Sequence, residues 1–209
     1  MATFDLFTIG HSNNSIDRFV AHLGEAGVNA VADVRSTPYS RFCPWFSRNN
    51  LQAHLKAASI AYLGYGEALG GRPGRASLYS EGAADYEAMA QTPVFQSGLD
   101  RLQNDMAHHR VGLMCAEREP LDCHRCLLVA RALAVRGIAI GHILHDGAVE
   151  PHAAAEQRLL QWAENAAAPD LFVTGQNDRL AAAYRRRSRA VGYKAKPGST
   201  GANTVAEQR

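Results

Sequence analysis

No residue class is in marked excess in this 209-residue chain, and the shortages are the more informative part. No apolar run approaches the roughly 18 residues that a membrane-spanning helix needs, so no membrane partner is expected. The first ten residues contain Asp5 and no basic leader, and they read as a first strand rather than an export signal. There are four cysteines, Cys43, Cys115, Cys123 and Cys126, which is too few for a disulfide scaffold at this length. The expectation is therefore reduced thiols in a cytoplasmic protein. Charge is balanced as well. A formal net charge of +2 exerts no strong general pull on nucleic acid, so local clustering matters more than the sum. The 46% hydrophobic share, against 20% charged, argues for a globular chain with a substantial core.

What is present is an alternation of short β-prone runs and amphipathic stretches. Residues 4–9 form an apolar strand candidate that stops at Gly10-His11-Ser12. Residues 15–26 repeat apolar positions at helical spacing (Ile16, Phe19, Val20, Leu23), with Ser15 as N-cap and Gly27 as terminator. A second strand over 29–34 completes a βαβ unit, which implies a parallel pair. Further strands are expected over 60–63, 111–115 and 138–144, and helices over 49–58, 123–136 and 151–166. Residues 83–109 read as mostly helical with a break near Thr92-Pro93, and 64–82 as a long glycine-rich loop of the kind that is usually functional or mobile. The fold expected is α/β: a three-layer sandwich with a mainly parallel sheet of about five strands flanked by helices. Residues 1–193 form one domain in this reading. Residues 194–209 form a flexible basic and polar tail.

In an open parallel sheet, ligands bind outside the carboxyl ends of the strands. Each reactive cluster of this sequence follows a predicted strand. His11 and Ser12 follow the first, Asp33 and Arg35 the second, and Cys115 and Glu117 the fourth, while Cys123-His124-Arg125 open the next helix. A thiol at a helix N-terminus beside cationic groups is biased toward thiolate. Exposed N–H groups and arginines at the same place suit an anion. The candidate catalytic residues are accordingly Cys123, His124, His11, Asp33 and Glu117, and the candidate substrate-binding residues are Arg35, Arg41, Arg125, Ser12 and Cys115. Plainer roles stand beside these: Asp33 and Arg35 as a local ion pair, Cys115 and Cys126 as buried core thiols, Arg125 as a partner of Glu117 or Asp33. The aromatics Phe42, Trp45, Phe46, Tyr62 and Tyr65 offer a wall for a base or ring, or simply core.

The partner expected is an anionic small molecule or nucleotide, with nucleic acid as a wider candidate. A binding module without chemistry is the alternative raised by Arg185, Arg186, Arg187, Arg189, Lys194 and Lys196. A metal-dependent hydrolase or a thiol redox sensor is another. His11, Cys115, Cys123, His124, His142 and His145 supply donors suited to zinc or iron. Yet the only C-x-x-C is Cys123–Cys126, and no H-E-x-x-H occurs. No metal is assigned on this reading, and no cofactor is named.

Several of these motifs together resemble the family called domain of unknown function 488. The matching pieces are Thr8-Ile9-Gly10-His11-Ser12, then Asp33-Val34-Arg35-Ser36 with Pro38, Ser40, Arg41 and Phe46, and Leu69-Gly70-Gly71. Cys115-Ala116-Glu117 with Cys123-His124-Arg125 is the most diagnostic block, and the stretch from Leu171-Phe172 to Ala183-Tyr184 resembles the usual ending. The resemblance spans residues 6–193 and implies a compact α/β domain whose shared polar residues are those of the rim just derived. It brings no activity with it. Cys43 departs from the pattern.

Overall fold

The computed structural model describes residues 3–166 and 175–194. Its frame is a six-stranded sheet. Strand β1 (Leu6–Gly10) leads through helix α1 (Ile16–Glu25) to β2 (Ala30–Asp33), and α2 (Arg48–Ala57) leads to β3 (Ala61–Gly64). After the short α3 (Gly66–Leu69), a small hairpin of β4 (Tyr79–Ser80) and β5 (Ala83–Ala84) precedes α4 (Tyr86–Ala90) and α5 (Pro93–Met106). Strand β6 (Val111–Cys115) follows, then a π-helix (Arg125–Ala130) that continues into α6 (Arg131–Val135). The chain finishes with β7 (Ile140–Ile143), β8 (Val149–Pro151), α7 (His152–Ala166) and α8 (Gln176–Val191).

The sheet order is β3-β2-β6-β1-β7-β8, parallel throughout except for the antiparallel β7–β8 pair. Five strands are those read from the sequence; the sixth, β8, is additional. Its Glu150 and Pro151 hide it from a hydropathy pattern, and a proline is tolerated there because β8 lies at the sheet edge. Alternation along the strands sends Val111, Leu113 and Cys115 into one core layer and Met114 into the other, as the period of two requires. The first layer packs the sheet against α4, α5, the π-helix, α6, α7 and α8; the second packs it against α1 and α2. This is the three-layer arrangement.

Local chemistry sets the helix boundaries. The Ser15 side chain accepts the Arg18 N–H and starts α1, and Phe19, His22 and Leu23 form its buried stripe. Thr92 caps α5 in the same way, with Pro93 in its first turn. The stretch read as one α-helix over 123–136 is different. Cys123 is extended, and the first regular turns are π, with all six residues from Arg125 to Ala130 buried. The Cys126 and Leu127 N–H groups both return to the Cys123 carbonyl. The C-terminal helix runs over Gln176–Val191. Beyond it the Tyr193 carbonyl accepts the Ala84 N–H, and Lys194 bridges Ala83, so the first residue assigned to the tail is paired. The rest of that tail, residues 195–209, lies outside the described residues, as do Leu171 and Phe172.

The connection from β2 runs outward to β3, whereas the connection from β6 crosses to β7 on the far side of β1. Adjacent strands whose connections depart in opposite directions leave a crevice at their carboxyl ends, and in this sheet that crevice lies between β2 and β6.

Leu113 is fully buried on the central strand between β1 and β2. Leu113→Ala is expected to lower stability by about 2–5 kcal/mol through lost burial and a residual cavity. A reduced urea midpoint with unchanged m-value is the readout, and a shift below about 1 kcal/mol contradicts this placement.

Candidate functional site

The crevice is occupied by two adjoining groups of polar side chains. The first is built on β2. Arg35 grips the buried Asp33 with two parallel bonds, Nε to Oδ1 at 2.9 Å and Nη2 to Oδ2 at 2.7 Å, and its backbone N–H reaches Oδ1 at 3.1 Å. The Tyr62 hydroxyl from β3 donates to Asp33 Oδ2 at 2.9 Å. Burial, with the Asp33 charge, pushes the Tyr62 phenol up to about 12. Arg35 Nη1 lies 3.3 Å from His11 Nε2. A guanidinium only donates, so His11 Nε2 must accept, and its Nδ1–H donates to the Ser12 carbonyl at 2.9 Å. The His11 ring stacks on Phe46 at 4.3 Å between centroids. Burial first, and the Arg35 charge second, lower the His11 pKa from 6.5 to about 4, so this imidazole is neutral near pH 7.

The second group surrounds the carboxyl end of β6. Glu117 Oε2 accepts from both thiols, from Cys115 at 2.9 Å and from Cys123 at 3.0 Å. His124 Nδ1 faces the same two sulfurs at 3.7 and 3.9 Å, while its Nε2 lies 3.0 Å from the Val34 carbonyl. Both cysteines and His124 are buried. Glu117 is exposed as a residue, although the oxygen between the thiols is sheltered by them. Burial alone would raise the Cys123 thiol; the Cys115 hydrogen bond and the positive charges of Arg125 and His124 overcome it and hold the group well below its ordinary value. Cys115 moves the other way, raised by burial and by its neighbour Cys123. The Glu117 carboxyl is raised by burial and by Cys123. One thiol is thus disposed to be charged and the other neutral.

Close backbone packing holds this geometry. A Cβ at Gly71 would lie 2.6 Å from His124 Cγ, so only glycine lets the loop after α3 lie flat against the imidazole. A Cβ at Gly10 would sit 1.9 Å from the Glu117 carbonyl, which ties the end of β1 to the turn carrying Glu117. Ser12 follows with φ of 46°, and its N–H donates to the Ala116 carbonyl.

A cavity of about 220 Å³ opens over both groups. Arg35, Ser36, Thr37 and Tyr39 line one side, Cys115, Glu117, Asp122 and His124 another, and Arg72, Tyr86, Val191 and Tyr193 complete it. Of the expected site residues, the structure brings Arg35, Cys115, Glu117 and His124 to this cavity, with Cys123, Asp33 and His11 directly behind them. Three expectations of substrate contact are not met. Arg125 is fully buried and turns inward, donating to the carbonyls of Glu117 at 2.6 Å and Arg118 at 3.1 Å; it holds a turn rather than a ligand. Arg41 is exposed, lies over Phe42, and is not among the lining residues. Ser12 uses its backbone in the turn and points its hydroxyl to Asn13.

Sequence reasoning missed Arg72, and it offered Tyr62 only as part of an aromatic wall or core, not as a hydrogen-bond partner of Asp33. Arg72 follows Gly70-Gly71 in the loop singled out as functional; its N–H bonds the Ser36 hydroxyl and its guanidinium lies 4.9 Å from the Tyr193 ring centre. The basic run on α8 is largely engaged within the chain. Arg185 pairs with Glu87, Arg187 with Asp122 and Arg189 with Glu81, and Arg186 contacts Trp162. His142 is not at the cavity. It belongs to a buried chain from Thr8 through His142 and His152 to Tyr184 and Glu156. His145 sits on the loop after β7, where its carbonyl accepts from Arg18.

Fold and site define an α/β protein with an open, mainly parallel sheet and a thiol–imidazole–carboxylate cluster at its topological switch point. The chain belongs to the family described as Domain of unknown function DUF488, which matches residues 15–132, more than half of its length. That match takes in Asp33, Arg35, Cys115, Glu117, Cys123, His124 and Arg125, and begins after His11 and Ser12. No curated protein and no solved structure matches the chain. Among the described residues no helix is long and apolar enough to cross a membrane.

The depressed His11 pKa has a thermodynamic consequence. The unfolded chain binds this proton near 6.5 and the folded chain only near 4, so stability is insensitive to His11 above 6.5 and falls as pH drops from 6.5 to 4. The full effect is about 3 kcal/mol. In denaturant titrations across that window, His11→Gln is expected to lose stability less steeply than the parent. Parallel slopes contradict the assignment.

Proposed function

We propose that the protein is an enzyme acting on a small phosphate-bearing or similarly anionic substrate held in the cavity between β2 and β6. The observation that carries this reading is the shared cavity itself: Arg35 and Arg72 line it together with Cys115, Glu117 and His124. Its contacts with Asp33 and His11 occupy three of the five guanidinium donors of Arg35 and fix the plane of the remaining ones. Arg72 comes from the glycine-rich loop and supplies a second cation. Asp122, the second acid at the cavity, is neutralised by Arg187, which keeps the balance favourable to an anion. A volume of about 220 Å³ is below the several hundred typical of drug-sized sites, and it suits a phosphate or the phosphate end of a nucleotide.

In this reading the residues divide by task. Arg35 and Arg72 bind and orient the anion, and Asp33, Tyr62 and His11 position Arg35. Cys115, Glu117 and His124 face the reacting group, and Cys123 supports them from behind. Arg125, expected as an anion clamp, is a positioning residue for the turn that carries Glu117.

Calorimetric titration with inorganic phosphate and with a nucleoside monophosphate tests the assignment. Losing a charge-assisted hydrogen bond costs about 1.5–3 kcal/mol, so Arg72→Ala is expected to weaken binding by at least about tenfold. Arg41→Ala, outside the cavity, is expected to leave it unchanged. Equal binding by Arg72→Ala and the parent protein overturns the proposal.

A further inference from the structure

The cluster at the end of β6 has a property that anion binding does not use. The donor atoms of Cys115, Glu117, Cys123 and His124 all lie within 4.8 Å of one another. We propose that they form the site of a single zinc-type divalent ion. Cys115, Cys123 and His124 are its fixed ligands, and Glu117 takes an exchangeable fourth position on the cavity side. The geometry stands by itself; only the catalytic role of the ion rests on the enzyme reading above.

The spacing comes first. Zinc–sulfur bonds of about 2.3 Å and zinc–nitrogen bonds of about 2.0 Å in a tetrahedron place sulfur and nitrogen about 3.5 Å apart. The two sulfur–Nδ1 separations are 3.7 and 3.9 Å, so an ion fits between these three atoms with small adjustments. The sulfur–Oε2 separations of 2.9 and 3.0 Å are shorter, and Glu117, the exposed member of the set, is the one able to move outward.

The orientation of the ligands is the second argument. His124 Nε2 is directed at the Val34 carbonyl 3.0 Å away, an acceptor that requires Nε2–H and leaves Nδ1 as the nitrogen facing the two sulfurs, free to coordinate once it carries no proton. A ring nitrogen fixed by a backbone carbonyl is the usual support of a metal-binding histidine. The Arg125 N–H, 3.4 Å from Cys123 Sγ, supplies the N–H···S contact that steadies a bound thiolate.

Access is the third. Cys115, Glu117 and His124 line the cavity, whereas Cys123 does not, so an ion here has a buried side and a substrate side. Three protein ligands with one replaceable position form the arrangement of catalytic rather than structural zinc. On binding, the two sulfurs coordinate as thiolates and their protons pass to solvent.

The other His/Cys group, Cys126 with His142 and His152, provides an internal control. There His142 Nε2 and His152 Nδ1 are 2.9 Å apart and share a hydrogen bond, and the remaining nitrogens are engaged by Thr8 and Tyr184. In that group an ion would first have to break the histidine–histidine hydrogen bond.

The test uses the full-length chain, purified under reducing conditions with zinc present. Elemental analysis is expected to find one zinc per chain, and replacement by Co²⁺ a thiolate-to-metal absorption band. Cys115→Ser and Cys123→Ser should each weaken that band, the double variant should abolish it, and Cys126→Ser should leave it intact. Gly71→Ala, which alters no ligand, should lower zinc affinity about 10–100-fold by displacing the His124 ring. Should the serine variants fail to fold, the parent protein still decides: chelation should lower its Tm and added zinc restore it. No stoichiometric metal and no cobalt band in the parent protein, or a band that survives the double serine variant, overturns the inference. Zinc retention without phosphate binding sustains the metal site while refuting the anionic-substrate reading; phosphate binding without metal does the reverse.

Discussion

The rim chemistry depends on a buried cation that touches no solvent. Arg125 is completely enclosed, and its Nη1 and Nη2 grip two consecutive carbonyls, those of Glu117 and Arg118. Among the described residues its Nε has no hydrogen-bond partner, and its charge is compensated by carbonyl dipoles and by the sulfur of Cys123 rather than by a carboxylate. Burying a guanidinium in this way is expensive unless the surroundings are over-determined. Here they are: the Glu117 turn is fixed from below by Arg125 and from the side by the close approach of Gly10. Glu117 in turn holds both thiols.

Two electrostatic layers follow. The Asp33–Arg35–His11–Tyr62 group is joined member to member by hydrogen bonds, one of which sets the His11 tautomer, and it forms a well-braced wall. The thiol cluster is internally opposed, with one cysteine driven toward thiolate and the other away from it by the same enclosure. A well-braced wall thus stands beside a group whose charges are not mutually satisfied. The carbonyl of Val34 joins them, because it belongs to the chain between Asp33 and Arg35 and fixes the His124 ring.

Most of this frame is legible in the sequence. The short β-prone runs at 4–9, 29–34 and 111–115, each followed by polar or thiol side chains, place those side chains on one rim because parallel strands share a direction. What is not legible is where a long side chain turns. Arg125 and Arg35 look equivalent as letters, yet one is drawn inward by backbone carbonyls and the other stands at the cavity because Asp33 on its own strand anchors it. Arg41 looked equally suited and lies over Phe42 on the surface. The π-turns after His124 escape detection because α- and π-helices share nearly the same apolar pattern over six residues. The convergence of Cys115 with Cys123 and His124 crosses from a strand to a helix start, and no single-segment spacing rule encodes it. β8 is lost to its own polarity.

The cavity draws its walls from two separate parts of the chain. The thiol–imidazole–carboxylate cluster lies within residues 15–132, the stretch matched by the family, whereas Val191 is the last residue of α8 and Tyr193 lies just beyond it, its ring centre 4.9 Å from the Arg72 guanidinium. A change confined to the end of α8 would therefore reshape one part of the cavity wall while leaving the strand-end cluster as it is.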